Sequence, residues 1–119
     1  MVVSPKQLVN AATKALDDGK AVDIKVLDVR KLTSMTDYMV LATGRSSRQV
    51  KALAQHVTEA SRTLKNRPLG VEGEDAAEWV LIDLGDVIVH VMQAETREFY
   101  QLEKLWTAPK PRARAAATE

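Results

Sequence analysis

The chain is 119 residues long, 45% hydrophobic and 28% charged, which suits one domain with one hydrophobic core. It has no cysteine, so a disulfide framework and a thiolate metal site are excluded, and its net charge of +1 argues against a strongly basic nucleic-acid binder. No basic region followed by an apolar run opens the chain, and its apolar stretches are strand-sized, far short of the roughly 20 residues that span a bilayer, so a cytoplasmic protein is expected.

Ser4-Pro5-Lys6-Gln7 predicts a helix start, with Ser4 as N-cap, Pro5 at the first helical position and Gln7 closing a capping box. Leu8, Val9, Ala12, Ala15 and Leu16 form its apolar stripe, and Gly19 suits its end. Residues 21–29 alternate, with Val22, Ile24 and Val26 set against Asp23, Lys25 and Leu27, as in a half-buried strand. After a loop through Ser34 and Asp37, Tyr38-Met39-Val40-Leu41-Ala42 is apolar almost throughout, the pattern of a buried strand, and Gly44 ends it.

Ser46 with Gln49 predicts a second capping box and a helix whose buried stripe is Val50, Leu53, Ala54, Val57, Ala60 and Leu64. Arg67-Pro68-Leu69-Gly70 is a turn before a short strand around Val71, and Gly73 to Ala77 reads as a charged loop. Residues 78–83 and 87–92 predict two strands joined tightly at Leu84-Gly85. A last helix is expected from about Glu95 to Trp106, with Phe99, Leu102, Leu105 and Trp106 on one side. Residues 1–106 then form the folded domain. Residues 107–119, rich in Ala, Pro and Arg, read as a disordered tail. The order of elements implies an α/β fold: a mixed sheet of five strands with flanking helices, in which the passage across residues 38–72 can support a parallel pair.

Charge is segregated along this order. Between Pro68 and Thr96 there is no Lys or Arg, while Glu72, Glu74, Asp75, Glu78, Asp83, Asp86 and Glu95 are acidic. Such a segment attracts a basic partner, or is simply a solvated face that keeps the chain soluble. A turn centred on Leu84-Gly85 sets Asp83 opposite Asp86, Leu81 opposite Ile88 and Trp79 opposite His90, all on one face, with Val80, Ile82, Val87 and Val89 on the other. The aliphatic face belongs to the core. The mixed one has the composition of an interface anchor, an aromatic with a polar rim, unless a helix covers Trp79 and His90 is merely hydrogen-bonded.

Two catalytic readings are open to the same residues. Gly44-Arg45-Ser46-Ser47 at a helix start could cradle a phosphate, and Glu72, Glu74 and Asp83 could hold Mg²⁺, as in a nucleotidyltransferase acting on a nucleotide. Against them, Gln49 already accounts for Ser46, and no nucleophile–base pair stands at working spacing. A direct RNA-binding module lacks the clustered basic and aromatic residues it needs.

The blocks TDYMVLATGRSSRQV, GVEGED, EWVLIDLGDVIVHVM and REFYQLEKLW, in order across roughly Ser4 to Trp106, resemble those of the ribosomal silencing factors, the Iojap or RsfS family. The resemblance implies a nucleotidyltransferase-like fold without the catalytic carboxylate pattern, no enzymatic activity, no cofactor and no metal. It implies a homodimer when free and a translational repressor when bound. That repressor binds the large ribosomal subunit through its ribosomal protein numbered fourteen and sterically blocks joining of the small subunit. The contact residues it implies match Trp79, Leu84 and His90, with Glu72 and Asp86 as acidic neighbours.

Overall fold

The Ser4 hydroxyl accepts the backbone N–H of Gln7 at 3.1 Å, and the Ser4 N–H reaches the Gln7 side chain at 2.9 Å. That closed capping box opens α1 (Pro5–Asp18) in the computed structural model, which describes residues 3–105. The whole stripe expected on this helix, from Leu8 to Leu16, is buried. The chain continues through β1 (Val22–Asp28), β2 (Tyr38–Gly44), α2 (Ser47–Thr63), β3 (Gly70–Glu72), β4 (Trp79–Asp83), β5 (Val87–Gln93), α3 (Ala94–Tyr100) and α4 (Leu102–Leu105).

The strands form one mixed sheet of five, in the order β1-β2-β5-β4-β3. Its parallel pair is β2 with β5, and the other neighbours are antiparallel. The parallel partner of β2 is therefore not β3, the next strand along the chain after α2. The composition explains why. Tyr38–Gly44 and Val87–Gln93 are the two longest apolar strands and fill the centre, where both faces are covered. Gly70–Glu72 has only three residues and takes the far edge.

Helices α1 and α2 lie together on one face of the sheet. Their stripes meet Val40, Ala42, Val80, Ile82, Val87, Val89 and Val91 in the main core. A second, smaller core stands on the opposite face, built from Val29, Met39, Leu41, Met92 and Leu102, with Leu27, Trp79 and Ile88 packed against it. The single core expected from chain length is thus a main core with a satellite.

Three local expectations are corrected. In β1 the register slips between Val22 and Lys25, and Asp23 has φ of +52°. The extra residue turns Val22 to the face of Thr43, while Val26 on this edge strand is 43% exposed. At α2, Ser46 caps Gln49 N–H at 3.1 Å, but the Gln49 side chain does not return to Ser46. It accepts the Arg45 N–H at 2.6 Å and donates to the carbonyls of Gly19 and Lys20, tying the start of α2 to the end of α1. The last helix breaks at Gln101, which is left-handed with φ of +47°, so Phe99 leaves the buried side and is 78% exposed. Residues 106–119, with the expected end of that helix and the tail, lie outside the described residues.

Candidate functional site

The hairpin of β4 and β5 carries the site residues, and its register differs from the expected one. Asp83 pairs with Ile88, Leu81 with His90, and Trp79 with Met92. The turn is Gly85-Asp86, closed by Leu84 N–H donating to the Val87 carbonyl at 2.9 Å. Gly85 has φ of +95° at the first central position, where a two-residue hairpin favours glycine, and its N–H donates to the Asp83 carboxylate at 2.9 Å. Centring the turn one residue later shifts the pairing by two. Because side chains repeat every second residue, both faces keep their strand members, and only Asp86 leaves its face, for the turn.

One argument for the site falls with the old register. Asp83 and Asp86 do not oppose each other, so no like-charge pair at the tip asks for a cation. Asp86 is exposed in the turn, and its carbonyl accepts the N–H groups of Asp37 and Tyr38.

Trp79 and His90 are diagonal neighbours. The indole Nε1–H donates to His90 Nδ1 at 3.0 Å, with ring centroids 5.9 Å apart. That bond fixes the tautomer, leaving the imidazole proton on Nε2. Nε2 is buried without a hydrogen-bond partner among the described residues. His90 lies between Leu41 and Leu81 in the sheet and is 4% exposed. Burial among these aliphatic neighbours pushes its pKa down to about 4.

The other expected contact residues separate. Glu72 is exposed at the end of β3, across from Leu81. Leu84 is 3% exposed and belongs to the main core, so it fixes the hairpin from beneath. Trp79 is half-buried, and the covering element is Tyr100 of α3, whose ring centroid lies 5.0 Å from the indole. Gly73, with φ of +89°, packs where a Cβ would run into the Trp79 carbonyl oxygen, so the loop before β4 positions the indole from the backbone side. Sequence reasoning missed Tyr100 here, because only the break at Gln101 brings it over Trp79.

It also missed Arg97. This side chain donates to the Glu103 carboxylate at 2.8 Å, the Asp23 carbonyl at 2.6 Å and the Thr43 hydroxyl at 2.8 Å. Helices α3 and α4 are thereby held to β1 and β2. Lys25 adds a 3.4 Å ion pair to Glu103, whose carboxyl Arg97 holds below its usual range. Just past β1, Arg30 pairs with Asp28 and draws its carboxyl down to about 2. Lys25 and Arg30 are thus engaged with acids, whereas β3 and β4 carry no Lys or Arg.

The catalytic readings gain no geometry. Arg45 N–H is taken by Gln49 and Gln49 N–H by Ser46, which fills the start of the supposed phosphate cradle. Among the described residues, no group of three His, Asp or Glu side chains could hold a metal ion, so Glu72, Glu74 and Asp83 do not converge. Nor is any described helix long and apolar enough to cross a membrane.

The family described as "Ribosomal silencing factor during starvation" matches residues 3–119. A protein of Haemophilus influenzae named ribosomal silencing factor RsfS is 46% identical over 99 residues, covering 83% of this chain and 97% of that one. A crystal structure from Chromobacterium violaceum superposes with a TM-score of 0.87 at 44% identity, covering 92% of each chain. Another, from Bacillus halodurans, gives 0.78 at 35% identity, covering 88% of this chain and 98% of that one.

Proposed function

The chain belongs to the ribosomal silencing factor family, a family of translation regulators, and on that premise we propose that it represses translation by docking on the large ribosomal subunit. The docking partner is the ribosomal protein numbered fourteen, and the bound protein blocks joining of the small subunit by occupying its place. It acts in the cytoplasm, without catalysis or cofactor, and is a homodimer when free.

The observation that carries the reading is the Trp79–His90 face, within a segment from Pro68 to Thr96 that has seven acids and no Lys or Arg. A half-buried indole with an acidic surround fits the centre of an interface with a basic protein. In this reading Trp79 makes contact, Glu72 and Asp86 steer, and the buried Leu84 and His90 hold the hairpin and the indole in place.

The protein is expected to co-sediment with isolated large subunits and poorly with joined ribosomes. Equal recovery with both would remove the blocking mechanism even if binding survived. The steering role has its own test. Replacing Glu72 and Asp86 together by Lys should slow association by about ten-fold at low salt, and the difference should shrink as salt screens the approach. Association rates that do not respond to salt would overturn it.

A further inference from the structure

Phe99, Tyr100 and Trp79 are three of the chain's five aromatic residues, counting one Phe, two Tyr and two Trp. They form a continuous ladder. Phe99 meets Tyr100 edge-on with centroids 4.9 Å apart, Tyr100 lies 5.0 Å from Trp79, and Trp79 donates to His90. The outer rungs are the open ones: Phe99 is 78% exposed and Tyr100 53%. The break at Gln101 leaves Phe99 exposed, where an unbroken helix would have put it on a buried side with Leu102, while Tyr100 reaches over Trp79. The two exposed rings touch and so form one contiguous apolar patch, the kind of surface that marks an interaction site.

Resting on the function proposed above, we propose that Phe99 and Tyr100 extend the docking surface beyond the hairpin, and that they fit an apolar recess on a basic protein of the large subunit. The charge around the ladder selects that occupant. Glu95 and Glu98 on α3 are exposed beside Phe99, while Glu72 and Asp83 share the sheet face of Trp79. Of the bases nearest α3 and α4, Arg97 and Lys25 both pair with Glu103 and Lys104 is exposed on α4, so the four carboxylates of Glu95, Glu98, Glu72 and Asp83 leave the rim acidic on balance. This rim repels a phosphate backbone, so the rings are not a stacking platform for RNA bases. An isologous contact with a second copy would set the acidic rim against itself. A basic protein meets the rim with opposite charge and the rings with apolar surface.

The test is a binding titration of the full chain against purified large subunits, wild type beside Phe99→Ser, with a melting curve for each. The Phe99→Ser variant is expected to melt like wild type and to bind about ten-fold or more weakly, as truncated interface aromatics do. Equal affinity of the two would overturn the proposal. So would a variant that binds subunits normally but changes oligomeric state, which would make the ladder a contact between copies. So would a Phe99-dependent affinity for protein-free ribosomal RNA. Failure of the wild type itself to bind large subunits would overturn the functional reading, and this one with it; a wild type that binds while the variant binds equally removes only the ladder.

Discussion

Replacing Arg97 by Ala is expected to lower the stability of the fold by about 3 kcal/mol, the range found when one partner of a buried ion pair is removed. The side chain is 9% exposed and joins elements far apart in the chain: Asp23 of β1, Thr43 of β2 and Glu103 of α4. Truncation leaves the Asp23 carbonyl and the Thr43 hydroxyl without this donor. It also leaves the Glu103 carboxylate without its nearest cation. For a domain of this size about 3 kcal/mol lowers the melting temperature by more than about 10 °C. Arg97→Lys keeps the charge but not the planar fork, and should recover only part of the loss. Hydrogen exchange locates the effect: α3 and α4 should lose protection first, because this network is what holds them against the sheet. A loss under about 1 kcal/mol would show that Leu102 in the second core, and not Arg97, holds the C-terminal helices.

The parts of this molecule legible in its sequence are those where one local rule decides. Ser4, Pro5 and Gln7 specify the start of α1 by themselves, and the apolar stripes of α1 and α2 needed only helical spacing. The faces of the hairpin were legible too, since Trp79 and Val80 must point opposite ways whatever the turn. Its register was not. Leu84-Gly85 and Gly85-Asp86 are both tight turns on composition, and the choice rests on the Asp83 carboxylate reaching the Gly85 N–H. The break at Gln101 was illegible for a different reason. Glutamine is a good helix former, and its left-handed backbone is imposed by tertiary packing: Arg97 pairs with Glu103, six residues on, a spacing an unbroken helix would not bring together. Missing that break hid Tyr100 over Trp79 and the exposure of Phe99. Of the candidate site, the sequence therefore marked the indole and its acidic surround, while the burial of Leu84 and His90 required the fold.

Acid should weaken this protein through His90 before most carboxylates titrate. The imidazole has an ordinary pKa of 6.5 when the chain is unfolded and about 4 in the fold, where burial disfavours its charge. The sign follows from proton counting. Between these values the unfolded chain binds more protons than the folded one, so stability falls as pH falls from 6.5 towards 4 and levels off below. At about 1.36 kcal/mol per unit, acidification from neutrality to about pH 4.5 should remove about 2.5 kcal/mol. Geometry agrees with the sign. Protonating Nδ1 would turn the bond from Trp79 Nε1–H into two donors facing each other, while Nε2–H has no described partner to share the charge. Glu103 contributes in a separate window: its pKa lies below 4.5, so the stability it gains from Arg97 is lost only in more acid solution. The measurement is urea unfolding at intervals from pH 7 to pH 4.5, for wild type and His90→Gln. Wild-type stability should fall across that range and the variant's should stay nearly flat, whatever its starting value. The other histidine, His56, is exposed on α2 and remains in both proteins, so it cannot account for a difference between them. Parallel profiles would show that His90 is solvated in the folded protein, and that the face beneath Trp79 is more open than its packing between Leu41 and Leu81 requires.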